Sequence, residues 1–394
     1  MQQMNPLLYR AVKPAARLID RLGFKHKLML IGSVFVGVVL ALSTVLVPTL
    51  REDIQFVERE LAGTSGQPAI LKMLQALEHH QRGDFAAAAA GWRDASSDNT
   101  RWLSTDGVPL ELDPNWQTAR QALDALFTQS SPADLVRYRA AAQEIVRYSE
   151  AIADRSNLTL DPVLDTYMLM YASVTLLPQI RAELVHLATP RADDASEVGA
   201  VSARLIALNA TRLQAGMQAV LEVDPAGREE LAGPYRQLEA QLQALASNPR
   251  DARAAAAATA PLDTSFSAAQ ALLESELKAR LDDHQRGLWI TVISIAAGIG
   301  LTLYFFFGFT RSLAATLRGL SRASSDLGQG RFPEHIDLQS RDELQGIADE
   351  LSRVTAVLNR FASEQQRMFE QHQLGNVSHR IDDQQFEGAY RVIA

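Results

Sequence analysis

LMLIGSVFVGVVLALSTVLV at residues 28–47 and LWITVISIAAGIGLTLYFFFGF at 288–309 are the two passages from which the rest of the chain is read. Each is about 20 residues without a charged side chain, enough at ~1.5 Å of rise per residue to cross the roughly 30 Å hydrocarbon core of a bilayer. A helix is the form that satisfies every backbone N–H and C=O internally while crossing. With their flanks the two spans are placed at 28–50 and 288–310. The chain is then expected to be all-α, with a segment at 51–287 on one side of a membrane and its two ends on the other.

Charge orients it. Before the first run stand Arg10, Lys13, Arg17, Arg21, Lys25 and Lys27 against Asp20. Just after the second come Arg311, Arg318, Arg322 and Arg331 against Asp326. Lys and Arg near span ends stay on the cytoplasmic side, so residues 1–27 and everything after 310 are expected inside the cell and 51–287 outside. A net charge of −8 argues against a nucleic-acid partner. The alternative for the first run is a cleaved signal peptide. Its apolar core would be too long, and the best small-residue site, Ala41-Leu42-Ser43, lies inside the run. Before it, Leu7, Leu8, Val12, Ala15, Leu18, Ile19 and Leu22 suit either a helix on an anionic membrane surface or a disordered basic tail. The absence of cysteine excludes disulfides and thiolate chemistry. The plan fits a two-span protein of a bacterial inner membrane with a periplasmic domain.

Between the spans Ala, Leu, Arg, Gln and Glu dominate, all good helix formers. Asp113-Pro114, Ser131-Pro132 and Asp161-Pro162 read as helix starts. Stops are expected at 63–66, 98–107, 156–161, 190–194, 224–227 and 248–249. The helices expected are roughly 49–62, 68–82, 114–129, 132–155, 162–189, 194–223, 227–247 and 262–287, with the first and last running into the spans. In 132–155 the buried stripe is Leu135, Tyr138, Ala142, Ile145, Tyr148 and Ile152; in 194–223 it is Val198, Val201, Leu205, Leu208, Leu213, Met217 and Val220. Pro178 is expected to kink its helix, and 94–109 reads as a surface loop. These helices imply an antiparallel bundle, either one long bundle with an inserted hairpin or two modules.

For a small solute lodged between helices, Tyr138-Arg139, Arg147-Tyr148, Tyr167, Tyr171 and Arg181 offer donors and aromatic walls. The same tyrosines suit a core and the same arginines a solvated face. His79-His80 diverge by about 100° on a helix and do not chelate one metal. No phosphate-cradling glycine loop or nucleophile elbow is present, so neither enzyme chemistry nor a cofactor or metal is expected.

After the second run, Leu313, Leu317, Leu320, Ser324 and Leu327 step by fours and threes; beyond a break at 328–333, Leu344, Ile347, Leu351, Val354, Leu358, Phe361 and Met368 do the same. Both are seams of coiled-coil type. A lone helix pair leaves its stripe half exposed, which points to a homodimer. The stretch 311–363 resembles a HAMP linker, the relay of bacterial transmembrane receptors, in these seams, in Gly330 with Phe332 and Ile336, and in Asp342-Glu343 opening the second helix. The resemblance implies a parallel four-helix coiled coil in the dimer, with Glu343 anchoring the connector. Two departures stand out. Ala314-Ala315 replaces the family's early proline, and Gln345, then Gly346, falls where a glycine is usual. Residues 375–381 and 386–391 within the last segment, 364–394, resemble the stretch C-terminal to HAMP in methyl-accepting chemotaxis receptors. The stretch 157–162, with Asp165 and Tyr167, is similar to their helical sensor domains.

The expected function is that of a chemoreceptor input module that senses a periplasmic solute, or a solute-binding protein carrying one, and relays it through HAMP. The chemotaxis kinase and its coupling protein would engage only through a region this chain lacks, since the sequence stops at Ala394 in what reads as mid-helix. The alternative is the same input portion on a sensor histidine kinase or nucleotide cyclase.

Overall fold

Strong helix formers dominate the sequence, and the structure, a computed structural model, is helical throughout with no strand among the described residues. It describes residues 24–129, 131–188, 196–224, 228–249, 251–333, 343–378 and 380–393. The chain divides into two compact units, one of Leu46–Thr291 and one of 1–45 with 292–394.

Among the described residues, nine helices and a π turn make up most of the first unit. Helix α1, Phe24–Gln81, enters it at residue 46 and is succeeded by α2 (Phe85–Leu103), α3 (Asp113–Phe127) and α4 (Leu135–Arg155). Then come α5 (Leu164–Met170), a π turn (Tyr171–Leu176), α6 (Leu177–Ala188), α7 (Ser196–Val223), α8 (Glu229–Ser247) and α9 (Ala252–Gly328). They enclose two separate apolar cores. One gathers Ile70, Met73, Leu74, Trp92, Trp116, Leu123, Tyr138, Ile145 and Ile152. The other gathers Leu169, Leu184, Leu213, Met217, Leu238, Phe266, Leu273 and Leu277.

Local chemistry explains where the helices differ from expectation. Residues 63–66 do not stop α1, because their glycines make room for neighbours. A Cβ at Gly66 would come within 2.6 Å of the Trp102 ring, and one at Gly63 would strike the Ser156 side chain. The stop at 98–107 is also displaced: α2 runs on to Leu103, with Trp102 donating to the Ala62 carbonyl at 3.1 Å. Asp134, rather than Ser131, caps α4, accepting from Arg137 N at 2.8 Å. Asp161 accepts from Val163 N at 2.9 Å ahead of α5 instead of opening a helix itself.

Pro178 lacks the N–H that would bond the Val174 carbonyl four residues back. The chain widens into the π turn just before it, and the buried Ser149 hydroxyl reaches Val174 O at 3.2 Å. Ser149 also reaches Gln67 Oε1 at 2.8 Å, and both residues are buried.

Helix α7 buries Leu213, Met217 and Val220 of the expected stripe but turns a different face inward over its first half, and the side chain of Val198 lies outside the described residues. Val201, Leu205 and Leu208 are 41, 40 and 49 % exposed, while Ser202, Ile206, Asn209, Leu213, Met217 and Val220 are buried. The reason is polar: Ser202 Oγ accepts from Arg139 Nη2 at 2.7 Å, and Asn209 Nδ2 donates to Gln179 Oε1 at 3.1 Å.

The second unit holds the two apolar runs. Both helices are long and apolar enough to cross a membrane, and no part of either apolar window is buried within the protein. Gly32 receives the Phe306 ring, whose nearest carbon would lie 3.0 Å from a Cβ placed there. Such close approach over a small residue is how helices pack in lipid. Past the second run, α9 carries Leu313, Leu317, Leu320 and Leu327 and ends at Gly328, two residues before Gly330, whose φ of +76° favours glycine. Arg331 N bonds Asp326 O at 2.9 Å and Gly330 N bonds Leu327 O at 3.0 Å, closing the helix end with two hydrogen bonds.

Helix α10, Glu343–Gln373, is next in the chain. Ile336 and Asp342 lie outside the described residues, as do the side chains of Glu343 and Leu344. Phe332 is half-buried, as are Leu351 and Leu358 of α10. The small residues Thr316, Ala323, Ala348 and Thr355 are buried, whereas Ile347 and Val354 remain 55 and 49 % exposed. Helix α11, Ala389–Ile393, comes last, with the Tyr390 and Phe386 rings packed on Phe361 at 5.9 and 5.7 Å.

Candidate functional site

Polar stripes on three helices meet in a cleft of about 470 Å³. From α4 come Arg139, Gln143, Arg147 and Glu150, spaced by four, four and three residues so that they share one face. Helix α6 contributes Gln179, Glu183 and His186 at the same kind of spacing, and α7 contributes Leu205 and Asn209. Ala142, Val146 and Ala182 form an apolar floor. A concave, partly apolar space of this size with a few converging polar groups is the usual form of a small-molecule site.

Arg139 sets the electrostatics. Its Nη2 donates to Ser202 Oγ at 2.7 Å and lies 3.3 Å from Glu183 Oε2, while its buried Nε–H meets no acceptor. A buried guanidinium donor without a partner favours an incoming anion, above all a carboxylate that the fork can hold. Arg147, at the rim, is paired with Glu144 of its own helix. Burial, and then the charge of Asp154, hold the Glu150 carboxyl above the usual carboxylate range. His186 Nδ1 lies 3.2 Å from Gln81 Nε2. These groups can bind and orient a solute carrying both charge types. Among the described residues no three His, Asp or Glu side chains are placed to hold a metal ion.

A second groove, about 480 Å³ between α7 and α8, is lined mainly by alanine and leucine with Ile206 and Tyr235. It has charged groups in Arg204 and Glu239 but no buried donor awaiting an acceptor, so the α4–α6–α7 cleft is the stronger site.

The tyrosines and arginines singled out from the sequence are spread through the fold. Only Arg147, with its neighbour Arg139, lines the cleft. Tyr138 is buried, its hydroxyl 2.8 Å from His80 Nδ1 and 3.1 Å from the His80 carbonyl. Tyr148 is buried against Trp116, hydrogen-bonded to Asn99 at 2.9 Å, and burial pushes its phenol up. Tyr167 and Tyr171 stack on each other at 6.4 Å, partly buried against the second core. Arg181 is 2 % exposed and its fork is fully engaged. Nε donates to Asp263 Oδ1 at 2.6 Å, Nη2 to Glu78 Oε2 at 2.6 Å, and Nη1 to the Leu74 carbonyl at 3.0 Å.

Sequence reasoning missed Gln143, Glu150, Gln179, Glu183, His186 and Asn209. The signal was available in α6, where Gln179, Glu183 and His186 recur on one face of a helix whose other polar residue is Arg181. No protein-family model, curated protein or solved structure shows a significant match to this chain.

Proposed function

We propose that this chain is the input portion of a bacterial transmembrane receptor of the methyl-accepting chemotaxis type, working as a homodimer in the inner membrane with both termini in the cytoplasm. A small periplasmic solute, free or delivered by a binding protein, enters the α4–α6–α7 cleft. Its carboxylate meets the Arg139 guanidinium, and a cationic group on it meets Glu150 or Glu183. Binding favours one packing of the helices of the first unit, and only the difference in affinity between two packings can shift their balance. The displacement passes along α9 to a HAMP relay formed by Leu313–Leu327 of α9 and Leu344–Leu358 of α10 from two copies, and from there to the kinase and its coupling protein.

One observation carries the proposal. Helix α9 is unbroken over 77 residues, contributing Leu262, Phe266, Leu273 and Leu277 to an apolar core, then the apolar run, then the first seam. The exposed seam residues Leu317, Ile347 and Val354 support the dimer, because a second copy is what would cover them.

Because the chain has no cysteine, single cysteines report cleanly. In membranes, Leu317→Cys is expected to crosslink between copies far better than Arg322→Cys; equal yields would refute the dimer seam. For the cleft, the full chain in lipid nanodiscs is screened for thermal stabilisation by the twenty amino acids. At least one is expected to stabilise the parent and lose its effect in Arg147→Ala and Glu150→Gln. Stabilisation by none, or stabilisation unchanged in both variants, refutes the assigned site.

A further inference from the structure

Two buried carboxyl groups and one half-buried guanidinium meet where α1, α9 and the link between α4 and α5 come together. Arg280 of α9 places Nη1 3.1 Å from Asp161 Oδ1 and 3.6 Å from Glu60 Oε2 of α1, and its Nη2 donates to Thr166 Oγ1 at 2.9 Å. Glu60 is 0 % exposed, and neither of its carboxyl oxygens accepts a hydrogen bond. Asp161 Oδ2 is likewise buried without a donor. Fully ionised, the cluster would hold two negative charges against one positive, with three orphaned oxygens buried from solvent, an arrangement of high cost.

We infer that Glu60, with Asp161 and Arg280, forms a proton-binding site that clasps α1 to α9 when the proton is present and loosens the two helices when it leaves. A proton on Glu60 removes the surplus charge and turns one orphaned acceptor into a donor, leaving Asp161 and Arg280 as a balanced pair. Release to solvent restores the unbalanced charge, which only water or separation of the helices can relieve.

Burial first, and then the Asp161 charge, push the Glu60 carboxyl up to about 8, with Arg280 acting in the opposite sense. Those two are the charged groups that bear on it. The neighbouring Asp165 and Glu276 are already taken by Arg228, at 2.6 and 3.1 Å. Burial works against ionisation of Asp165, but the Arg228 hydrogen bond, the backbone N–H of Thr166 and the Arg228 charge together outweigh it and hold that carboxyl below its usual range. Glu60 thus stands apart as the group left to titrate near neutral pH.

The placement makes the site consequential. Glu60 lies ten residues, about 15 Å of helix, beyond residue 50, and Arg280 lies eight residues, about 12 Å, before residue 288. A clasp between α1 and α9 here acts on the two helices that carry the apolar runs. The clasp works the same whichever solute the cleft holds and whatever the output.

The test is hydrogen exchange of the full chain in nanodiscs from pH 6.5 to 9.5, corrected for intrinsic rates, with segments 56–64 and 276–284 monitored. Protection is expected to fall about tenfold per pH unit as pH approaches 8, the midpoint of proton release from the clasped state, and to level off above it, as for an opening linked to one proton. Glu60→Gln, which keeps the protonated shape, should stay protected across the range. Asp161→Asn should move the midpoint to lower pH, which keeps the idea testable even if Glu60→Gln misfolds. A flat profile in the parent, a parent-like transition in Glu60→Gln, or an unmoved midpoint in Asp161→Asn would overturn the proton site. A transition that tracks sodium concentration at fixed pH would overturn it in favour of a bound cation.

Discussion

Replacing Arg181 with methionine removes a buried guanidinium that ties α6 to α1 and α9 at once. The side chain is 2 % exposed and bonds Glu78, Asp263 and the Leu74 carbonyl. Removing one partner of a buried ion pair costs ~3–5 kcal/mol, because the other charge stays behind uncompensated. Here the low end applies. Glu78 keeps its pairing with Arg82, and Asp263 keeps a 3.0 Å hydrogen bond from Gln75 and is 22 % open to solvent. A loss of about 3 kcal/mol in a unit of this size lowers Tm by roughly 6–12 °C. Circular dichroism melts of the full chain in nanodiscs measure it. Arg181→Lys should fall between the two, since a lysine ammonium cannot fork to two carboxylates. The triple variant Arg181→Met, Glu78→Leu, Asp263→Leu should recover most of the loss, because no buried charge remains. If Arg181→Met melts within about 2 °C of the parent, a cost of under ~1 kcal/mol, the reasoning is wrong.

The Glu60 carboxyl makes stability depend on pH. Its value is raised in the fold from 4.5 to about 8, so the folded state holds the proton more tightly than the unfolded one. The contribution is complete below 4.5 and is lost as pH rises through 8, up to roughly 5 kcal/mol in all; urea titrations of the parent and Glu60→Gln at pH 6 and 9 should show a fall in the parent that the variant lacks. Gly66→Val drives two methyl groups into the Trp102 ring, an overpacking cost of ~1–3 kcal/mol, and a shift in tryptophan emission should accompany the lower melting point. Ser149→Ala strips the buried donor from Gln67 Oε1 and Val174 O, at ~1–3 kcal/mol, and exchange at the π turn should quicken; unchanged exchange there would show that the turn needs no such support.

The helix content and the two apolar runs were readable because each depends on residues close together in the chain. Length without charge and apolar spacing of three and four need no knowledge of the rest of the fold. The stripe of α4 was readable for the same reason, with Tyr138, Ala142, Ile145, Tyr148 and Ile152 all buried. The second half of the α7 stripe was readable too, with Leu213, Met217 and Val220 buried, but its first half misled, because Arg139 and Gln179 from other helices satisfy Ser202 and Asn209 and so draw a polar face inward. Residues 63–66 misled in another way: glycine in a helix reads as a break until the side chain pressing on it is known.

The candidate cleft was half legible. Arg139 and Arg147 stood out beside tyrosines, but the tyrosines belong to cores and the acidic wall comes from α6. The sequence by itself determined an all-helical chain with two helices long and apolar enough to cross a membrane, since hydrophobic length and period are local properties. Only the tertiary structure decided which charges are buried: Glu60 one helical step from Val57, and Arg181 among the apolar residues of α6. A charge enters a core only where partners or protons compensate it, and here those partners come from distant parts of the chain.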